Sequence, residues 1–575
     1  MNDQPLIAAA RERFAPWLIE PMLRNRAIYV KVAIAATMIN IFALVSSLFT
    51  MTVYDRVIPN DASSSLVGLT IGLVIVLLFD FVLRLLRVYF VDVAGANIDH
   101  DVGDTLFAKL LALRLDKRKG STGTLTGLMR ELETLRDFFA SATLSAIIDV
   151  PFILITLSVI AALGGILVLP PLLMIPVVVL AGAFTNPALD RLSAKSLGDG
   201  LVKQSVLIET IGSLETVKAI GAGPMQRDRW RKALVKHSHS SLGQRLTASI
   251  AVTVANSANT IAYCGIIILG VGLLRDHVIT TGALLACSLL CGRAIAPLAQ
   301  IATLLSRLSA TRIAYRQINS LMETPDEGPV GDGLMPTKIE GRIEMRNVAF
   351  RYPGAPENAL NGINLSIAPG ERVGFLGRVG SGKSTIARMV LGLYEPQEGV
   401  VLIDGADVRQ YQPHQIRSFI GAAMQDNVLM AGSVRDNICL SRDAGDQDEM
   451  LRAAEISGTH RFMGQIVNGY DMRLADRGEG LSGGQRQSIS IARALVGSPQ
   501  ILLFDEPSSA MDAQTEADLI RRLQPEVEGR TVLLITHRTS LLRLVDRVIL
   551  MDQGKIVADG PRDAILKRLS GGKAA

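Results

Sequence analysis

Six stretches before about residue 310 are apolar over the length of a bilayer crossing: roughly 28–51, 66–90, 139–163, 166–186, 247–274 and 278–305. A membrane helix needs about 20 such residues, and in lipid each backbone N–H and C=O must be satisfied within its own segment. This part of the chain therefore folds as a helical bundle, and a water-soluble fold is excluded for it. Gly164 and Gly165 separate the third and fourth stretches, and Pro170, Pro171 and Pro176 interrupt the fourth. Proline is tolerated in a span where neighbouring helices satisfy the freed carbonyls. Hydrophobic residues make up 49% of the chain, yet the second half is ordinarily polar. The 575 residues thus divide into a membrane part followed by a soluble part.

Basic residues set the orientation. Arg24, Arg26 and Lys31 lie at the start of the first span, Arg84 and Arg87 end the second, and Arg136 precedes the third. Arg191 and Lys195 follow the fourth, Arg245 precedes the fifth, and Arg307, Arg312 and Arg316 follow the sixth. The loops on the other side hold only Arg56 and Arg275. Positive charge is retained on the cytosolic side, so both termini are expected there. The N-terminus shows no cleavable signal pattern, because its first apolar stretch is a full span long.

Two long connections, 91–138 and 187–246, are charged and helical in pattern. Leu106, Leu110 and Leu113, then Leu128, Leu132 and Leu135, recur at helical spacing around Gly120–Gly123, and Gly221–Pro224 breaks the second connection. The expectation is two helical hairpins in the cytosol whose turns meet the soluble domain. In the second span Asp80 and Arg84 are four apart and form an intrahelical pair, with Arg84 snorkelling. Asp149, just before Pro151, has no partner that the sequence identifies. Cys287 and Cys291 are four apart without nearby histidines and read as buried thiols.

Thr324–Gly333 is rich in proline, glycine and acid, as a linker is. The chain is accordingly partitioned as a cytosolic segment 1–27, a six-helix membrane domain 28–316, a linker 317–339 and a nucleotide-binding domain 340–570. In that last part, Gly377-Arg-Val-Gly380-Ser381-Gly382-Lys383-Ser384 fits the phosphate-loop pattern at each fixed position, followed by Thr385. An apolar strand, Val373–Leu376, leads in and a helix leads out. Such a loop aims successive N–H groups at one phosphate. Lys383 would reach the β- and γ-phosphates of ATP, and the Ser384 hydroxyl would ligate Mg²⁺. Further on, the strand Ile501–Phe504 ends in Asp505 and Glu506. Asp505 is placed to hold Mg²⁺ through water, and Glu506 to orient or deprotonate an attacking water. Ser482-Gly483-Gly484-Gln485 opens a helix as a phosphate-facing turn. Tyr352, at a strand end, could stack on the adenine ring.

Together these features resemble the ABC ATPase family across 340–570. The resemblance implies that Gln425 links Mg²⁺ and the water to the membrane part, and that His537 touches the γ-phosphate. It also implies that Ser508–Asp512 is a contact loop between two ATPase domains. In the family the Ser482–Gln485 turn completes the opposite subunit's site, so a homodimer with two sandwiched ATP molecules is expected. Met424 stands where a proline is usual, and Met430 where an aromatic is common. Six spans before one such domain resemble an ABC exporter half-transporter. Phe49–Asn60, Asp149-Val-Pro151-Phe152 and Glu506–Thr515 are similar to the inner-membrane component of type I secretion systems. That resemblance implies ATP-driven export of an unfolded polypeptide across the bacterial inner membrane, with a periplasmic adaptor and an outer-membrane channel as partners. The other exporter reading is a homodimeric pump for lipids or drug-like molecules. About 27 residues precede the first span, too few for the cysteine-peptidase-like domain of many relatives.

Overall fold

The computed structural model describes residues 15–117, 122–140, 142–329, 331–426, 428–440 and 447–571. They form two compact units, one from Met1–Leu111 with Lys119–Thr324, the other from Ala112–Arg118 with Pro325–Ala575.

The first unit is helical. It runs through α1 (Pro16–Arg24), α2 (Arg26–Thr52), α3 (Ser63–Leu111), α4 (Thr122–Ala140), α5 (Ala142–Gly164), α6 (Leu169–Gly212), α7 (Leu214–Ala219), α8 (Gly223–Arg275) and α9 (Thr281–Met322). Among the described residues, five helical runs are long and apolar enough to cross a membrane, within Arg26–Val57, Ser63–Leu111, Asp149–Gly212, Gly223–Arg275 and Thr281–Leu298, and the third takes in most of the third expected stretch and all of the fourth. The run from Asp149 to Gly212 holds an apolar stretch of membrane length, and a short 3₁₀ turn at Gly165–Val168 divides the run. Ile153 and Leu157 of α5 share a core with Val178 of α6, so the chain reverses at that turn. Pro176 and Pro187 lie inside α6 without ending it.

Small residues bring helices close. Ala251, Ala255, Ala258 and Ala262 form one buried stripe on α8, which permits the backbone approach that membrane helices use. Cys287 and Cys291 are buried with Ile160, Ala262 and Ile266. Asp80 and Arg84 pair within α3 at 2.7 Å, as expected. Asp149 finds a partner across the bundle, accepting from Asn40 Nδ2 at 2.7 Å.

Two expectations change. The helical reading carried Leu113 into the helix, but α3 ends at Leu111. Leu113 bridges antiparallel to Asp326, and Glu327 N donates to Ala112 O at 2.7 Å, both within the second unit. Backbone pairing thus overrides the local period. Gly120 lies outside the described residues, while the second break occurs as expected, with Gly221 at φ 67°. The other change is at the expected linker, where α9 continues past Arg316 to Met322.

The second unit carries two main sheets. Antiparallel β1 (Ile343–Phe350), β2 (Leu360–Ile367), β4 (Glu398–Ile403) and β5 (Ala406–Asp407) are ordered β2-β1-β4-β5. The six-stranded sheet has the order β12-β11-β3-β10-β9-β6. Its strands are β3 (Arg372–Gly377), β6 (Ile420–Ala423), β9 (Ile501–Asp505), β10 (Thr531–Ile535), β11 (Arg547–Asp552) and β12 (Lys555–Pro561), with β12 alone antiparallel among them. Each residue of β9 and β10 is buried, as strands covered on both faces of a parallel sheet are. This aligns the C-terminal ends of β3, β6, β9 and β10 along one edge, where ligands bind in open α/β sheets.

Candidate active site

The 377–384 loop leaves β3 and enters α10 (Lys383–Val390). Gly382 sits at φ 96°, and a Cβ there would press on the Ala359 carbonyl and on Leu360. A side chain is therefore excluded at the point where the loop turns into the helix. Ser381 is buried, and its N–H donates to the Arg378 carbonyl at 3.2 Å. Lys383 is buried too. Its Nζ donates to the carbonyls of Gly377 at 2.9 Å and Arg378 at 2.7 Å, and to Ser381 Oγ at 3.2 Å. Burial lowers the Lys383 pKa, while Glu506 and Asp505 act in the opposite direction. The ammonium thus lies inside the loop, held by contacts that an anionic ligand can replace.

Asp505 ends β9 at 1% exposure. Neither carboxylate oxygen accepts a well-formed hydrogen bond, although the Ser384 hydroxyl is near enough to favour the ionised form. Burial pushes the Asp505 pKa up. An orphaned carboxylate beside a hydroxyl is an oxygen donor set of the kind that takes a hard divalent cation.

Glu506 follows immediately, at φ 54°. Such a backbone is uncommon for a residue with a side chain and occurs at functional positions. It turns the carboxylate so that Oε1 lies 3.7 Å from His537 Nε2. Oε1 is buried with no hydrogen-bond partner among the described residues. Burial raises the Glu506 pKa, and the nearby His537 opposes the rise. Gln425 stands two residues beyond Ala423 on β6, which pairs with Phe504 on β9. It is exposed at the same edge as Glu506.

Tyr352 lies against the start of α10. Its hydroxyl is 3.1 Å from Thr385 Oγ1 and accepts from Arg388 Nη1 at 2.8 Å. Its ring packs edge-on to Phe350 and Tyr394. The expected adenine platform is thereby joined to the phosphate loop's helix.

Ser482 caps α15 (Gly483–Leu495; α11–α14 are the helices starting at Pro413, Val434, Gln447 and Thr459). Ser482 Oγ accepts from Gln485 N at 3.2 Å, and Gln485 Oε1 accepts from Ser482 N at 2.8 Å. These side chains close on each other in a capping box, which leaves the turn exposed. Gly483 and Gly484 pack against Ala510, where a Cβ would crowd its side chain and carbonyl at 3.2 and 3.1 Å. Ser508 Oγ donates to buried Glu516 at 2.6 Å, and Asp512 caps α16 (Ala513–Val527).

Two residues that carry no motif signal join this framework. Gln487, on the second turn of α15 and 1% exposed, donates through Nε2 to the Glu506 carbonyl at 2.7 Å and to Ser509 Oγ at 3.1 Å. Its Oε1 accepts from Ala510 N at 3.0 Å. Arg388 ties Tyr352 as described. A buried glutamine one turn into a helix is the only local hint for the first, and nothing local marks the second.

A phosphate loop, an Asp-Glu strand end and a glycine-rich helix cap on one mixed sheet, preceded by apolar helices, define an ABC ATPase joined to a membrane domain. The chain belongs to the ABC transporter family. The family model described as ABC transporter matches residues 360–509, and that of the ABC transporter transmembrane region matches 29–298. It is a multi-pass membrane protein whose family couples ATP hydrolysis to transport. The "Toxin RTX-I translocation ATP-binding protein" of Actinobacillus pleuropneumoniae is 35% identical over 557 residues, covering 96% of this chain and 78% of that protein. The "Leukotoxin translocation ATP-binding protein LktB" of Mannheimia haemolytica is 34% identical over 560 residues, with the same two coverages of 96% and 78%. A bacterial Atm1-family ABC exporter solved with ATP bound has a TM-score of 0.86 at 23% identity, covering 96% of this chain and 98% of that one. That likeness establishes the exporter fold.

Proposed function

We propose that this chain is the inner-membrane ABC component of a type I secretion system, using ATP to drive an unfolded polypeptide across the bacterial inner membrane. The observation that carries this reading is the 34–35% identity to RTX toxin and leukotoxin translocation proteins over 96% of the chain. The segment Phe49–Asn60 is part of that likeness.

In this reading both termini are cytoplasmic and two copies of the chain pair in the lipid bilayer. They work with a periplasmic adaptor and an outer-membrane channel. The N–H groups of Gly377–Thr385 bind the phosphates and Lys383 neutralises them, while Tyr352 stacks on adenine. Ser482, Gly483, Gly484 and Gln485 of one copy close over the nucleotide held by the other. Ser384 and Gln425 would ligate Mg²⁺ and Asp505 would hold it through water, and the ion would offset charge on the phosphates. Glu506 takes the proton of the attacking water, and burial, which raises its pKa, makes it a stronger base than an exposed glutamate. His537 holds the γ-phosphate end beside it.

The test is to crosslink the protein in intact cells, recover its partners, and compare the secreted proteins of strains with and without it. A periplasmic adaptor and the loss of a secreted protein are expected. Lipid- or drug-stimulated ATPase activity with no adaptor and an unchanged secreted set would replace this reading with the lipid or drug pump.

A further inference from the structure

The helices of the first unit border a half-open cavity of about 290 Å³ between α2, α3, α5 and α9, lined by Asn40, Arg84, Arg87, Asp149, Arg293 and Gln300 among others. Three arginines thus face one chamber that holds a single carboxylate, Asp149. That carboxylate accepts from Asn40 at 2.7 Å. Arg84 is paired with Asp80 of its own helix. Arg293 differs. It falls within the apolar segment Thr281–Leu298, roughly 18 Å along the helix from Thr281 at 1.5 Å per residue. Its side chain lines the chamber and donates at 3.0 Å to a neutral acceptor, Ser46 Oγ. A guanidinium at that depth is costly in lipid, and such charges face water-filled cavities and mark transport pathways.

We propose that Arg293, with Arg87 and Arg84, forms a carboxylate-binding station in the membrane domain that engages acidic side chains of the polypeptide in transit. This rests on the protein-export reading. A guanidinium offers paired N–H donors in the geometry a carboxylate accepts. Among the described residues Arg293 donates to no carboxylate, and the acid whose charge reaches it, Asp80, is already paired with Arg84. Asn40 spends its amide N–H groups on Ala36 O and Asp149, so Gln300, which is exposed, is the amide left to meet an extended peptide backbone.

The test uses full-length protein in neutral-lipid nanodiscs. A fluorescent Glu-Gly-Ser repeat peptide and its Gln-Gly-Ser counterpart are titrated against wild type, Arg293→Gln, Arg87→Gln and Arg293→Lys. ATP binding serves as the check on folding. Losing one hydrogen bond to a charged group weakens binding by about ten-fold or more. The glutamate peptide should therefore bind at least about ten-fold more weakly to either glutamine variant, and Arg293→Lys should recover part of that loss. The glutamine peptide should bind weakly throughout. Equal binding of the two peptides, or glutamate-peptide binding unchanged in both glutamine variants, overturns the station while leaving polypeptide export standing. So does displacement of the peptide by phosphatidylglycerol in the nanodisc, which would assign the arginines to lipid phosphate. A deletion strain with an unchanged secreted set defeats the export reading instead, and with it the role of the station in transit.

Discussion

Gln487 Nε2 lies 2.7 Å from the backbone carbonyl of Glu506, joining the helix behind the Ser482–Gln485 turn to the residue placed to act on water. Because the same amide accepts from Ala510 N, one side chain registers the glycine-rich cap, the Glu506 backbone and the loop after it. Gln487→Leu removes these bonds and the one to Ser509 Oγ at nearly constant bulk. It should lower kcat roughly ten- to a hundred-fold through misplacement of Glu506, with KM for ATP little changed. It should also cost about 1–3 kcal/mol of stability for the Ala510 N–H left unpaired, while the Glu506 carbonyl keeps its bond from Ser509 N. Steady-state kinetics and thermal melts check the split, and a change confined to KM would reject the positioning role.

Glu506→Gln keeps the shape of the side chain and removes its basicity. ATP should still bind, turnover should fall by ~10²–10³, and the protein should accumulate as an ATP-bound closed dimer. Phosphate release and sizing in ATP measure the two effects. Near-normal turnover is incompatible with the assigned role.

The pH dependence has a definite sign. Burial raises the Glu506 pKa above its ordinary 4.5, with His537 opposing. A protonated carboxyl cannot accept a proton from water, so kcat should fall as pH drops through that raised value, giving an acid limb above the usual glutamate range. Folding responds oppositely. The native state holds this proton more tightly than the unfolded chain, so the group's contribution to stability is full below about 4.5 and is lost as pH rises through the native pKa. A kcat–pH profile whose acid limb vanishes from the residual activity of Glu506→Gln is the check.

Lys383→Ala removes the ammonium that now bonds to Gly377, Arg378 and Ser381. Nucleotide affinity should fall by at least about ten-fold, since a hydrogen bond from a charged donor is worth roughly 1.5–3 kcal/mol. Equilibrium binding of a fluorescent ATP analogue measures this, and unchanged affinity would remove Lys383 from the site.

Between α2 and α3, Asp55 accepts from Thr280 Oγ1 at 2.5 Å and from Gly282 N at 2.8 Å, fastening that connection to the start of α9. Asp55→Ala should cost about 1–2 kcal/mol, as losing a helix cap does. It should lower the melting temperature and leave the KM for ATP unaltered. Gly282→Ala should be at least as damaging, because its Cβ would meet the Asp55 carboxylate and the Met51 carbonyl. Differential scanning calorimetry in detergent tests both.

The amino-acid sequence alone determined the six spans, the fold of each half, and the phosphate loop with its Asp505–Glu506 partner. Each of these is written in contiguous residues. A 20-residue apolar run has one backbone solution in lipid, and a phosphate loop carries its ligands within eight positions. Tertiary structure decided what contiguous residues cannot encode. Asp149 meets Asn40 from 109 positions away, and Arg293 meets Ser46 across 247. Leu113 leaves its helical period because a backbone partner waits at Asp326. Such pairs arise from which faces the helices and strands bury against one another, and periodicity within one segment holds no information about the segment opposite.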